Sequence, residues 1–333
     1  MEKILALLLA LWIPAAVLSG CAPQDDSAAS NKLNIVTTIF PAYDWVREIL
    51  GDETDRAEIT TLLDSGVDLH SYQPTVDDIV KISECDLFLY VGGESDGWVE
   101  DALKNAPNKD RKVIRLLDVL GDSAKAEETV EGMQEEEHDH EEEGHGHEEE
   151  AEYDEHIWLS LKNAQVLVAA ISEALQESDP ARKDTYAANA AAYVEKLSAL
   201  DGEYRAAVDS GKYKTLLFGD RFPFRYLADD YGLDYYAAFP GCSAETEASF
   251  ETVSFLAGKM DALGLPCVLT IEGTQHKIAE TVVQNTAQKN QQVLTMDSMQ
   301  AVTANDASSG VSYLSIMEKN LSVLKKALGQ EAE

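Results

Sequence analysis

From residue 33 onward, short apolar runs alternate with longer stretches in which apolar residues recur every three or four positions. LNIVTTI is a β-branched run, and PAYDWVREIL follows it with helical spacing. AEITTLL and DLFLYVG repeat the first pattern, TVDDIVKIS and WVEDALKNA repeat the second, and KVIRLLDV returns to strand. Short continuous apolar strands between amphipathic helices predict a parallel sheet covered on both faces. Two long helical patterns follow, one from Leu161 to about Gln176 and one from about Ala181 to Val208, broken at Asp179-Pro180. In the second, Tyr193, Val194, Leu197, Leu200 and Tyr204 keep a helical period over more than a crossover's length, which suits a strut. Beyond Lys214 the alternation resumes: TLLFG, LDYYAAF, CVLTIEG and QQVLTM read as strands, separated by helical patterns that end in YLSIMEKNLSVLKKAL. The expected fold class is α/β, with two (βα) lobes of parallel sheet joined by long helix. The lobes fall at 33–160 and 213–333, with connecting helices at 161–212. Ligands of such sheets gather at the carboxyl ends of the strands.

Two stretches stand outside this alternation. Lys3 precedes an apolar run from Ile4 to Val17, too short and too early for a comfortable spanning helix, which ends in Leu18-Ser19-Gly20-Cys21. That ending resembles a bacterial lipobox. It implies a signal peptide over 1–20, cleavage before Cys21, acylation of that cysteine, and a tether to the lipid membrane through a polar linker over 21–32. The second stretch, about 122–153, contains EEEHDHEEEGHGHEEE. It has no periodicity and too little apolar surface to fold alone, so a disordered loop is expected. Between Glu127 and Glu155 there are sixteen acids and no Lys or Arg, in a chain of net charge −35. Such a balance argues against nucleic-acid binding and is compatible with attracting cations.

Four places set metal-capable side chains beside strand ends or loops: His70 in VDLHSYQPT, His156 in YDEHIWLS, Asp220 in FGDRFPF and Asp297 in LTMDSM. Two imidazoles and two carboxylates make a mixed N/O site for a divalent first-row cation. Asp220 and Asp297 could equally cap helices, and Arg221 would compete for the Asp220 charge. His276 reads as solvated, and Glu272 as an acceptor behind the ligands. Cys85 reads as a small buried residue. Cys242 and Cys267 could pair as a disulfide outside the cytoplasm, although sequence does not give their separation, and no C-x-x-C spacing is present. No nucleophile elbow, phosphate loop or H-E-x-x-H occurs, and four protein ligands leave no open position for activated water. Binding is favoured over catalysis.

TTIFPAYDWVREI, GVDLHSYQPT, DEHIWLSLKNA, FRYLADDYG and LTMDSM together resemble the metal-binding solute-binding lipoproteins of ABC importers, the cluster that handles zinc and manganese. The resemblance covers essentially all of residues 33–328. It implies two lobes on one long backbone helix, a single metal site in the cleft between them, and delivery of the ion to an importer permease by a monomer. The family's first two histidines map onto His70 and His156, and its C-terminal carboxylate onto Asp297. Where the family usually has a third histidine, this chain reads GDRFPF, so the third ligand is open among Asp220, Glu245, Glu272 and water. A His-rich acidic loop ahead of the second ligand is a mark of the zinc members. His138, His140, His145 and His147 would then form an accessory collector for Zn2+. The rival readings are a Mn2+ or iron importer of the same fold, a surface adhesin stiffened by metal, and, last, a metallohydrolase.

Overall fold

β-branched and aromatic runs with both faces covered make the sheets. In the N-terminal lobe the strands β1 (Leu33–Thr37), β2 (Ala57–Thr61), β3 (Leu87–Tyr90) and β4 (Lys112–Arg115) pair in parallel in the order β2-β1-β3-β4. Each is followed by a helix: α1 (Phe40–Leu50), α2 (Val76–Glu84), α3 (Val99–Lys104) and α4 (Leu116–Leu120). Pro41 stands in the first turn of α1, and a Thr75–Asp78 capping box opens α2. The computed structural model describes residues 32–104, 106–134, 152–243, 247–273 and 276–330. The expected signal peptide over 1–20, Cys21, Glu245 and the four loop histidines lie outside these residues. Among those described, no helix is long and apolar enough to cross a membrane.

The connecting helices are α5 (Leu161–Ser178) and α6 (Lys183–Ser210), with Pro180 at the break between them. Ser160 caps α5 by accepting from Asn163 N at 3.0 Å. With 28 residues, α6 is roughly 42 Å long. The C-terminal lobe has β5 (Thr215–Phe222), β6 (Asp234–Pro240), β7 (Cys267–Thr270) and β8 (Gln292–Thr295), again parallel, in the order β6-β5-β7-β8. Its helices are α7 (Arg225–Tyr231), α8 (Phe250–Leu263), α9 (Lys277–Asn285), α10 (Ala304–Ser308) and α11 (Tyr313–Ala327). The long helix joins the two lobes by packing on α1 on one side and α11 on the other. Its buried face carries Tyr186, Tyr193, Leu197, Leu200 and Tyr204. One continuous apolar core runs from Ile35 and Trp45 through Trp158 and Tyr204 to Phe218 and Tyr313. A smaller cluster around Leu217, Phe239 and Leu256 fills the other face of the second sheet.

Two expectations need revision, and the open question of a disulfide is answered. KVIRLLDV is strand only to Arg115. Leu116, Leu117 and Leu120 lie instead on the buried side of the short helix α4, whose 3.6-residue turn puts i, i+1 and i+4 on one face. Residues 124–134, read as part of the loop, lie as a strap on the C-terminal lobe. Gln134 N donates to Ala238 O at 2.9 Å, Ser249 N to Gln134 Oε1 at 2.8 Å, and Lys259 pairs with Glu131 at 2.8 Å. An antiparallel bridge between Ala126 and Tyr153 joins the strap to the returning chain. Its backbone groups find partners on the lobe, and Ala124 and Met133 pack against the core, which is why an acidic segment holds a fixed course. The disulfide between Cys242 and Cys267 is not formed, because both thiols are free, as is that of Cys85.

Candidate metal centre

His70 stands on a single 3-10 turn, Leu69–Ser71, after β2. Asp68 opens that turn, its Oδ1 accepting from His70 N at 3.0 Å. His156 precedes a second 3-10 turn, Ile157–Leu159, and Asp154 Oδ1 accepts from its N at 2.8 Å. The two histidines are thus delivered by the same device, an Asp two residues upstream that folds the chain back on itself. The motif Asp-x-His is legible twice in the sequence and would have marked both turns.

The outer ring nitrogens are held by acids. His156 Nδ1 lies 2.9 Å from Asp154 Oδ1, and the ring is fully buried. His70 Nδ1 lies 2.9 Å from Ser95 Oγ and 3.3 Å from Glu155 Oε2. Burial pushes the Glu155 carboxyl up, but hydrogen bonds from His70 and Ser95 outweigh it and hold the group below its ordinary value. The tautomer that donates from Nδ1, to Asp154 at His156 and to Ser95 at His70, leaves each Nε2 lone pair facing the other ring. The two Nε2 atoms face each other at 3.2 Å. Two lone pairs at that distance repel unless a proton or a cation lies between them. Nitrogens about 2.0–2.1 Å from a tetrahedral zinc ion stand about 3.3 Å apart, so the rings are already spaced for one. Two glycines leave room for this packing. A side chain at Gly241 would come 3.2 Å from His156 Nδ1 and 2.8 Å from the Phe222 carbonyl, and one at Gly93 would overlap Glu155.

The third donor drawn to the pair is a thiol. Cys242, in the turn after β6, places its sulfur so that it and a ring nitrogen of each histidine lie within 4.8 Å of one another. Among the described residues this is the group of three or more His, Cys, Asp or Glu able to hold a metal. Burial, then the nearby Asp154 and Glu127, push the Cys242 thiol well above its ordinary value. Sequence reading passed over it because an isolated cysteine carries no spacing signal.

The expected carboxylates, Asp220 and Asp297, are not in this group of donors. Asp220 sits in an irregularity of β5, where its oxygens accept from Arg221 N at 2.9 Å and Ile271 N at 3.4 Å. Asp297 Oδ1 accepts from Met299 N at 2.8 Å, and burial followed by the charge of Glu272 raises its pKa to about 6. Its turn borders the histidines, because Trp158 Nε1 donates to Ser298 O at 2.8 Å and the Trp158 ring lies 5.4 Å from that of His156. Glu272 accepts from Ser298 N, Ser298 Oγ and Gln300 N at 2.6, 2.7 and 3.0 Å, which fixes this turn. Arg221 pairs with Asp68 across the cleft and donates to Ser243 O at 3.2 Å. Asp68 is half-buried, which alone would raise it, yet the Arg221 guanidinium and the His70 N–H hold it low.

Comparison with known proteins gives this arrangement a setting. The model of the ZnuA family, described as zinc-uptake complex component A, periplasmic, matches residues 35–327. The zinc-binding lipoprotein AdcA of Streptococcus pneumoniae is 34% identical over 99% of this chain, which spans only 62% of that relative's length. The high-affinity zinc uptake system protein ZnuA of Bacillus subtilis is 30% identical, the match covering 90% of this chain and 88% of that one. Among solved structures, the Zn(II)-bound ZnuA-like domain of Streptococcus pneumoniae AdcA aligns with TM-score 0.69 and 29% identity, over 90% of this chain and all of that domain.

Proposed function

We propose, from the premise that the chain belongs to the ZnuA family of zinc-uptake complex components, that it captures Zn2+ outside the cytoplasm and hands it to an ABC-type importer. The family is a binding and transport component, and the chain is read as a carrier rather than an enzyme. One observation carries the reading: the Nε2 atoms of His70 and His156 face each other at 3.2 Å, each ring oriented from behind by a carboxylate. That is the carboxylate–histidine–metal pattern, in which the acid fixes the tautomer and raises the basicity of the ligand. Neutral imidazole suits zinc, so the cargo ion would bind between the two rings. Asp297 would join from the C-terminal lobe as a carboxylate donor if its turn moves toward the rings. Asp220, which accepts from Arg221 N and Ile271 N, stands outside the group formed by the two histidines and Cys242.

Around this centre the account extends to the whole chain. Acylation of Cys21 would tether the body to the membrane, and His138, His140, His145 and His147 would raise the local concentration of zinc. The strap and Tyr153 bring both ends of that loop back to the described body, the second end three residues before His156. A calorimetric titration of the full chain with zinc tests the central part. Affinity should fall as the pH drops from about 7 to about 5.5, where imidazoles ordinarily take up protons and leave the metal. Zinc affinity that stays flat over that range would contradict histidine ligation.

A further inference from the structure

We infer that Cys242 is the sulfur donor of the metal centre and the residue that sets its preference for zinc over manganese. The inference rests on the reading of His70 and His156 as ligands and adds the third donor to it. Four observations support it.

First, the sulfur and a ring nitrogen of each histidine lie within 4.8 Å of one another. A tetrahedral zinc ion, with Zn–N about 2.0–2.1 Å and Zn–S about 2.3 Å, sets nitrogen and sulfur about 3.6 Å apart. An approach of about an ångström, within the reach of a side-chain rotation, would complete three corners of the tetrahedron. Second, the turn that carries the thiol is fixed from both flanks. Cys242 N donates to Glu127 Oε1 of the strap at 2.9 Å, and Arg221 donates to the neighbouring Ser243 O at 3.2 Å. The same guanidinium pairs with Asp68, which caps the His70 turn. One arginine therefore ties the sulfur's turn to the first imidazole's turn across the cleft. Third, the other described cysteines are placed differently. Cys85 is buried at the end of α2 with its thiol on the Ile82 carbonyl at 3.1 Å, and Cys267 is buried at the start of β7. Neither belongs to a group of metal-capable donors. Fourth, Asp220, Asp297 and Glu272 fall outside that group of donors, each accepting a backbone N–H in its own turn.

The chemistry of the donor decides the ion. Binding forms a Zn–S bond and breaks the S–H bond, and the proton passes to water. Thiolate is a soft donor that zinc accepts and manganese accepts poorly, whereas carboxylate suits manganese. A His2Cys set with one further oxygen ligand is thus a zinc site by composition.

The test loads the full chain with one equivalent of cobalt(II), which substitutes for zinc and reports its ligands by absorption. The wild type should show visible bands of a tetrahedral ion together with a thiolate-to-cobalt charge-transfer band in the near ultraviolet. In Cys242→Ser the charge-transfer band should vanish while cobalt still binds. Zinc affinity should drop about tenfold or more, with manganese affinity little changed. Visible bands without the charge-transfer band in the wild type, or a charge-transfer band that persists in the variant, would overturn the assignment and leave the histidine reading standing. An absence of any cobalt-dependent spectrum in the wild type would overturn both. Should the serine variant not fold, X-ray absorption on the zinc-loaded wild type decides: sulfur at about 2.3 Å upholds the assignment, and a shell of nitrogen and oxygen alone overturns it.

Discussion

Asp154 makes two bonds to one residue, accepting from both the backbone N and the ring Nδ1 of His156. The first folds the turn and the second aims the ring, so a single carboxylate links local backbone geometry to ligand orientation. Asp154→Asn keeps the shape and removes the charge. We expect zinc affinity to fall roughly 10- to 100-fold with the fold intact, since this is the usual cost of losing the acid behind a ligating histidine. Paired calorimetry and circular dichroism check it, and unchanged affinity would deny Asp154 that role. At this scale the sequence was partly legible. His70 and His156 announce themselves by residue type and by position beside strand and helix ends. Ser95 and Glu155 do not, because their role exists only once the chain brings residues 95 and 155 together at 2.8 Å. Cys242 was equally silent, being a lone thiol 86 residues from the nearer of the two histidines.

Among the elements, α1 and α11 are joined across the lobe boundary by a buried acid. Asp44 on α1 accepts from Tyr313 N, at the first residue of α11, at 2.8 Å, and Trp45 packs edge-on against the Tyr313 ring at 5.3 Å. Burial raises the Asp44 pKa from 3.8 to about 6, with Glu48 adding to the shift while the Tyr313 N–H and Arg47 oppose it. The folded state therefore holds this proton more tightly than the unfolded state does. The contribution to stability is largest below about pH 4 and is lost as the pH rises through about 6. Asp44→Asn keeps an acceptor for Tyr313 and removes the titration. Relative to wild type, the variant should gain about 2–3 kcal/mol between pH 4 and pH 7. Denaturant unfolding at a series of pH values measures this, and a constant difference would contradict the burial argument. Strands and helices were legible here because short continuous apolar runs differ so plainly from the 3.6-residue period. The strap was not, since its order comes from hydrogen bonds to a lobe more than a hundred residues further along the chain. Likewise, the change from strand to helix at Leu116 depends on where the core lies, which a short apolar run does not reveal.

For the molecule as a whole, the continuous core and the strut α6 set how the carrier can move. A hinge between lobes would have to part the contacts of Trp45, Tyr313, Trp158 and Tyr204, all buried in one apolar interior. If the chain carries zinc as proposed, the motion that admits and releases it would be confined to the turns of His70, His156, Cys242 and Asp297. This agrees with a site whose two imidazoles stand at near-ligand spacing. The most direct test is diffraction from zinc-loaded crystals at energies on either side of the zinc absorption edge. The account predicts one strong anomalous peak between the lobes, about 2.0–2.1 Å from Nε2 of both His70 and His156. A peak bonded to neither ring, or no peak in the cleft of a protein saturated with zinc, would contradict it.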